Sequence, residues 1–130
     1  MIKELGKIDV ITLFVEDLPA TKRFYTEVFG LEVIWEDEVS AVVTLSNLLV
    51  NLLSVAEAPT LVEPVRVAPP GGSRALLTIE VENVDAVVAQ LAEHGVTLLN
   101  GPTDRPWGRR TAAFADPAGN TWEIAQELGD

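Results

Sequence analysis

The chain repeats one pattern of secondary structure in its two halves, and this repeat restricts the possible folds more than any other feature. Residues 13–18, LFVEDL, match residues 79–84, IEVENV, and each segment joins a predicted strand to a predicted helix. A glycine, Gly30 in the first half and Gly95 in the second, follows each helix, and three extended segments come after it. The pattern predicts two βαβββ modules in an α+β fold. Helices would cover one face of the sheets and leave the other face free.

The first module is predicted to occupy residues 1–55. Alternating apolar residues from Ile8 to Val15 indicate a strand, and Asp17 can cap the helix that continues to about Val28. Three further strands are predicted at roughly residues 31–36, 41–45 and 48–55.

The second module is predicted to occupy residues 74–130, after a linker at residues 56–73 that is rich in Pro and Gly. Alternation from Ala75 to Val81 indicates a strand, and Asn83 can cap a helix from Val84 to about Glu93. The remaining predicted elements are a short strand at 96–99, a loop at 101–108, and a hairpin of strands 109–115 and 121–126.

Charge and composition limit the classes of partner. The formal net charge of −11 repels nucleic-acid phosphates and anionic membranes, and it attracts small cations. The absence of cysteine excludes disulfides and thiolate metal sites. No apolar run is long enough to span a bilayer, and the first residues do not resemble a signal peptide. We therefore expect a cytoplasmic protein that binds neither nucleic acid nor membranes.

Two motifs resemble those of a known superfamily. Residues 14–31, which begin FVEDL and end RFYTEVFGL, resemble the opening of vicinal oxygen chelate proteins, the glyoxalase, bleomycin-resistance and dioxygenase group. Residues 114–124, FADPAGNTWEI, resemble their closing hairpin. With the internal repeat, the resemblance covers nearly the whole chain. It implies two βαβββ modules that form a cleft, and it implies a homodimer, because members of this group commonly form one.

The resemblance also implies where a metal ion would bind. Metal-dependent members take His or Glu ligands from the first and last strands of each module, and these positions fall on Val10, Asn51, Leu76 and Glu123. Of these residues only Glu123 is a good ligand, because Val and Leu cannot coordinate and an amide is a weak donor. We therefore predict no metal site and no cofactor, and we disfavour glyoxalase I and ring-cleaving dioxygenase activity. The single histidine, His94, is expected at an exposed helix end.

The strand alternation predicts a mostly apolar cleft lining, which suits a small organic ligand. The alternative is that the same side chains fill a collapsed cleft as a second core. Trp107 is expected either to stack on a planar or cationic ligand or to anchor its loop in the core. Trp35 is expected to be structural, and Trp122 is expected in the helix-covered core. The residues predicted to bind ligand are Thr12, Phe14, Asn51, Arg74, Thr78, Trp107 and Glu123.

Glu123 is the residue on which the functional interpretation depends. A carboxylate on the apolar side of a sheet must be paired, hydrogen-bonded or protonated, and Arg74 and Asn51 are candidate partners. Glu123 could anchor a cationic ligand, act as a general base, or form a structural pair. Arg109 and Arg110 are expected to pair with surface acids.

Three functions remain open at this point. The leading hypothesis is a protein that sequesters a small aromatic or cationic molecule without metal catalysis, as bleomycin-resistance-type members do. The alternative is a metal-free isomerase or lyase that uses Glu123 as its catalytic base. A metal-dependent enzyme with displaced ligands is the third and least favoured.

Overall fold

Both halves of the chain contain the predicted strand, helix and three further strands. The computed structural model describes residues 1–129 and divides into two units, residues 1–69 and a second that begins at Pro70. Each unit carries one four-stranded sheet. The prediction of an α+β fold built from two βαβββ modules is confirmed.

The first unit forms a mixed sheet with the strand order β1-β4-β3-β2. Strand β1 runs parallel to β4, and the other neighbours are antiparallel. Asp17 caps α1 as predicted, because its Oδ1 accepts a hydrogen bond from the backbone N–H of Ala20 at 3.0 Å. The elements are β1 Val10–Val15, α1 Leu18–Glu27, β2 Glu32–Glu36, β3 Ser40–Thr44 and β4 Leu49–Ser54.

Helix α1 contacts β3 and β4, so it covers one face of this sheet. The covered face holds the core of the unit, where Val50 and Leu52 are buried and lie in register with Ile11 and Leu13. Tyr25 extends this core from the helix and is completely buried. The other face is not covered by α1 and is called the open face; its first residue, Val10, is exposed, whereas Leu53 on the same face is buried.

Trp35 was predicted to be structural, and the prediction is wrong: its side chain is 55% exposed. The register of β2 against β3 shifts between Val33 and Trp35. The prediction relied on the usual structural role of aromatic side chains in strands, and this irregularity changes the face of the sheet on which Trp35 lies. Trp35 pairs with Val42, which in turn pairs with Asn51, so the indole belongs to the open face.

The segment predicted as a linker, residues 56–73, contains more regular structure than its prolines suggested. A 3-10 turn at Val55–Glu57 is followed by a short helix α2 at Pro59–Val62, with Pro59 in its first turn, where no backbone N–H is needed. Ala58, between them, is completely buried. The N-terminal residues add one further 3-10 turn at Lys3–Leu5.

The second unit repeats the arrangement with the strand order β5-β8-β7-β6. Strand β5 runs parallel to β8, and Asn83 caps α3 by accepting a hydrogen bond from the N–H of Ala86 at 3.0 Å. Helix α3 contacts β6, β7 and β8. Trp122 lies in the core as predicted. The elements are β5 Leu76–Glu80, α3 Val84–Glu93, β6 Asn100–Asp104, β7 Arg109–Ala115 and β8 Thr121–Glu127.

The predicted short strand at residues 96–99 is wrong, and the predicted loop at 101–108 is correct only for residues 105–108, which join β6 to β7. The strand β6 spans Asn100–Asp104 instead, and it pairs with β7 across a register irregularity between Asn100 and Thr103. Pro102 lies inside this irregularity, at the edge of the sheet, where a residue without an N–H leaves no ladder hydrogen bond unmade. His94 ends α3 and is exposed, as predicted. None of the helices in residues 1–129 has the length and apolar character of a membrane span.

Candidate functional site

Three of the predicted ligand-binding residues lie on the open face of the first sheet. Thr12 and Asn51 are register partners on β1 and β4, and Phe14 lies beside Leu53 in the same strand pair. Thr12 is exposed, whereas Phe14 is half-buried. The Asn51 Oδ1 atom is buried, and no donor reaches it within residues 1–129. This oxygen is therefore a hydrogen-bond acceptor without a protein partner.

Thr78 and Glu123 lie together on the open face of the second sheet, as register partners on β5 and β8. The Thr78 Oγ1 hydroxyl donates a hydrogen bond to Glu123 Oε1 at 3.0 Å. Arg74, considered as a partner for Glu123, precedes β5 on an exposed segment and forms no ion pair with it. The Thr78 hydroxyl therefore fixes one carboxylate oxygen, and no other group of the described chain hydrogen-bonds to Glu123.

A surface pocket of about 450 Å³ lies over this part of the second sheet. Glu123 and Trp107 both line it, whereas Thr78 supports Glu123 from the next strand. Trp107 is 67% exposed, so of the two expectations for this residue the structure excludes anchoring in the core. The apolar part of the lining is Leu76, Leu99, Trp107 and Ala113, and the polar part is Ser73, Asn100, Arg105, Thr121 and Glu123.

Arg105, which was not predicted from the sequence, also lines this pocket. The Arg105 Nε donates to Thr111 Oγ1 at 2.9 Å, and its Nη2 donates to Asn100 Oδ1 at 3.2 Å. Both acceptors lie on β6 and β7, and β6 was predicted as a loop. Only the pairing of these strands shows that Asn100 and Ala113 share one row with Glu123.

Arg109 and Arg110 pair with surface acids, as predicted. Arg109 contacts Glu127 at 2.6 Å and Glu80 at 3.3 Å. Arg110 contacts Asp104 and Asp85, each at 2.9 Å. The hydrogen bonds to Asp104 and then Asp85 raise the pKa of the Arg110 guanidinium. Both arginines therefore form salt bridges with acidic side chains of their own unit.

Comparison with known proteins decides the family. The model of the Glyoxalase/Bleomycin resistance protein/Dioxygenase superfamily matches residues 7–124. The chain belongs to this superfamily. The superfamily model spans both sheets and the pocket described above.

Several bacterial proteins are similar to the chain over most of its length. It is 34% identical to the uncharacterized protein YraH of Bacillus subtilis, over 94% of this chain and 99% of that protein. It is 27% identical to the virulence protein STM3117 of Salmonella typhimurium, over 94% and 85% of the two chains. The crystal structure of a glyoxalase-related enzyme from Fulvimarina pelagi matches with a TM-score of 0.81 at 28% identity, over 95% and 89%.

The residues at the superfamily's metal-ligand positions do not fit a divalent transition metal. The first unit offers Val10 and Asn51 at these positions, and the second offers Leu76 and Glu123. Each unit therefore has one donor side chain at these positions, an amide in the first and a carboxylate in the second, and one donor is too few for a stable metal site. Residues 1–129 also contain no group of three His, Cys, Asp or Glu side chains arranged to hold a metal ion elsewhere. No chemical step is therefore assigned to a metal.

A second pocket, of about 460 Å³, lies in the first unit between the start of α1 and the β2–β3 turn. Asp37 lines it and organises the turn: its Oδ1 accepts hydrogen bonds from the Val39 N–H, the Ser40 N–H and the Ser40 hydroxyl at 2.8–3.0 Å. The bond from the Val39 N–H is the main cause that lowers the pKa of Asp37 below its usual 3.8, and the two bonds from Ser40 add to it.

We expect Asp37→Asn to reduce stability at neutral pH. Because the pKa of Asp37 is lower in the folded protein, its ionised form stabilises the fold above the unfolded value of 3.8. This contribution to stability disappears as the pH falls through the lower pKa that Asp37 has in the folded protein. Thermal unfolding at a series of pH values should show a lower Tm for the variant at pH 7 and convergence at acid pH. Glu38→Gln removes the same charge from an exposed neighbour that accepts no such bonds, and an equal effect there would contradict the assignment to Asp37.

Proposed function

We propose that this protein binds and sequesters a small organic molecule with a flat apolar body and a cationic group, in the pocket of the second unit. The observation that carries the proposal is the combination of an exposed indole and a fixed carboxylate in one pocket. The loss of metal donors from the superfamily positions supports binding without metal chemistry.

The exposed indole of Trp107 supplies the apolar contact. A ligand ring that covers half of a Trp side chain removes roughly 100 Å² of apolar surface from water, which contributes about 2 kcal/mol. The indole face also attracts a cation that lies within about 6 Å of the ring centre. Leu76, which is 51% exposed, and Leu99, which is 56% exposed, extend the same surface. These exposed apolar side chains support the proposal that the ligand carries an aromatic ring.

The carboxylate of Glu123 supplies the charge. Thr78 holds Oε1, which orients the carboxylate, and the second oxygen accepts no hydrogen bond within the described residues. An ammonium or amidinium group of a ligand would satisfy that oxygen with a charge-assisted hydrogen bond. The net charge of −11 also raises the local concentration of small cations around the protein.

A thermal-shift screen tests whether the pocket binds such molecules. Purified protein is heated with bleomycin-type and other cationic aromatic compounds, and with divalent metals in parallel wells. A ligand that binds the native state must raise the Tm by mass action. The proposal expects shifts with organic cations. A shift with metals alone, or with none of the compounds, would contradict it.

The variant Glu123→Gln then tests the site. We expect affinity for phenethylamine, a simple aromatic cation, to fall by about tenfold, because a hydrogen bond to a charged group contributes about 1.5–3 kcal/mol. Isothermal titration calorimetry measures the change. The matched control is Glu82→Gln, which removes the same charge from an exposed residue of the same unit. Equal losses in both variants would show that only net charge matters and would refute the site.

A metal-free isomerase or lyase is the second candidate, because Glu123 lines the pocket and its Oε2 accepts no hydrogen bond within the described residues. In this case the carboxylate would remove a proton from an acidic C–H of the ligand. Glu123→Gln separates the two functions. An enzyme would lose turnover while it keeps most of its affinity, whereas a sequestering protein would lose affinity and have no turnover to lose.

A further inference from the structure

Within residues 1–129, Arg105 is a pocket arginine without an acidic partner, although the protein has an excess of acids. The chain has 20 Asp and Glu residues against 9 Lys and Arg residues, so a shortage of carboxylates does not explain this. Arg109 and Arg110, a few residues away, each contact two carboxylates. Arg105 has no salt bridge within residues 1–129, and its two hydrogen bonds go to neutral oxygens.

The two hydrogen bonds hold Arg105 in a defined orientation. Thr111, which accepts from Nε, is only 1% exposed, and Asn100 accepts from Nη2. A guanidinium carries five N–H donors in a rigid plane. The bonds to Thr111 and Asn100 use the side formed by Nε and Nη2. The end formed by Nη1 and Nη2 keeps donors that can bind a carboxylate through two parallel hydrogen bonds.

Arg105 and Glu123 line the same pocket, and Asn100, to which Arg105 bonds, lies across a small residue from Glu123. Asn100, Ala113 and Glu123 occupy one row across β6, β7 and β8, and Arg105 bonds to the first of them. Neighbouring strands lie about 4.8 Å apart, so the outer two strands of this row are separated by about 10 Å. The two charged groups form no salt bridge with each other, and Ala113 leaves the space between them free for a ligand.

We propose that Arg105 binds a carboxylate on the same ligand whose cationic group pairs with Glu123. The ligand is then a small zwitterion, with opposite charges at the two ends of a flat apolar body that lies against Trp107. This inference rests on the proposed function and adds to it the charge pattern of the ligand.

Three compounds with one common ring test the inference. The zwitterion 4-(2-aminoethyl)benzoate carries both charges, phenethylamine lacks the carboxylate, and 4-ethylbenzoate lacks the amine. Affinities are measured by NMR titration of the native protein, Arg105→Gln and the control Arg66→Gln, which removes the same charge from an exposed residue of the first unit. We expect the zwitterion to bind the native protein about tenfold more tightly than phenethylamine.

The variants give the decisive comparison. Arg105→Gln should remove the advantage of the zwitterion while it changes the affinity for phenethylamine by less than about twofold, and Arg66→Gln should change neither. If Arg105→Gln is too unstable to use, Thr111→Val is the second variant. It keeps the charge of Arg105 but removes the hydroxyl that accepts from the Arg105 Nε, so the affinity advantage of the zwitterion over phenethylamine should become smaller. The Tm of each variant, measured without ligand, shows which of them is folded.

The remaining outcomes separate this inference from the proposed function. If the zwitterion and phenethylamine bind equally to the native protein, and Glu123→Gln weakens both, Arg105 is not a ligand anchor and the proposed function stands. If 4-ethylbenzoate binds best and Glu123→Gln has no effect, the cation site is wrong. If none of the three compounds binds at concentrations up to about 20 mM, both proposals fail.

Discussion

Trp122→Ala is expected to lower the free energy of unfolding by about 4 kcal/mol. The Trp122 side chain is 3% exposed on the helix-covered face of β8, where it pairs with Phe114 of β7 and Leu77 of β5. Removal of a buried indole costs the transfer free energy of the ring and leaves a cavity that the surrounding strands cannot close. Urea unfolding followed by far-UV circular dichroism measures the change.

Trp107→Ala is the matched control, because it removes the same side chain from an exposed position of the same unit. Its stability should change by less than about 0.5 kcal/mol, since no core contact is lost. Its affinity for phenethylamine should fall by about tenfold, because the ring loses its stacking surface. Comparable destabilisation by both variants would contradict the placement of Trp107 on the surface. Unchanged binding in Trp107→Ala would remove the indole from the proposed site.

The two tryptophans also show why much of the fold could be predicted from the sequence. Side chains of a strand alternate between its faces, so Trp122 and Ile124 had to share one face and Glu123 the other. The helix starts were equally predictable, because Asp17 and Asn83 are cap residues whose hydrogen bonds are local. Both signals depend on residues that are neighbours in the sequence, and the structure confirms them.

The parts that could not be predicted depend on pairing between distant segments. The register shift in β2 turns Trp35 to the open face, and nothing in the local sequence marks it. Gly101 and Pro102 are typical of a loop, yet they lie in the edge strand β6 because β7 pairs with it. The same pairing places Arg105 in the pocket. The candidate site was therefore predicted in part, with Glu123 and Trp107 found from alternation and motif and Arg105 found only in the structure.

Family membership alone does not give the function of this protein. The superfamily model matches residues 7–124, but two of the four positions that would hold a metal ion are Val10 and Leu76, whose side chains have no donor atoms. The chemistry that remains in the second unit is one carboxylate, one guanidinium and an indole around a pocket. Such a set suits recognition of a charged organic molecule. The function therefore depends on the residues of this site and not on the fold alone.

Gly101→Ala is expected to lower the free energy of unfolding by about 3 kcal/mol. Gly101 has a φ of +89°, which L side chains rarely adopt, and a Cβ built there lies 2.5 Å from the Thr111 carbonyl oxygen and 2.8 Å from the Ala112 Cα. Both contacts are with backbone atoms of β7, which cannot move without loss of pairing to β8. Strained backbone and overpacking each cost about 1–3 kcal/mol. Urea unfolding again measures the change.

Gly95→Ala separates these two causes, because Gly95 also has a positive φ, +76°, but a Cβ there meets nothing within 4 Å. Gly95→Ala should lower the free energy of unfolding by about 1 kcal/mol. The additional decrease in Gly101→Ala then measures the cost of the contact with β7. If both variants lose the same free energy of unfolding, β6 moves away from β7 with little loss of stability, and the contact is not important. The substitution also links stability to the site, because Gly101 follows Asn100 and an added Cβ would meet the backbone of Thr111, and these two neighbours hold Arg105. Gly101→Ala should therefore weaken binding of 4-(2-aminoethyl)benzoate, whereas Gly95→Ala should leave it unchanged. Binding is measured without urea, at a temperature at which both variants are fully folded.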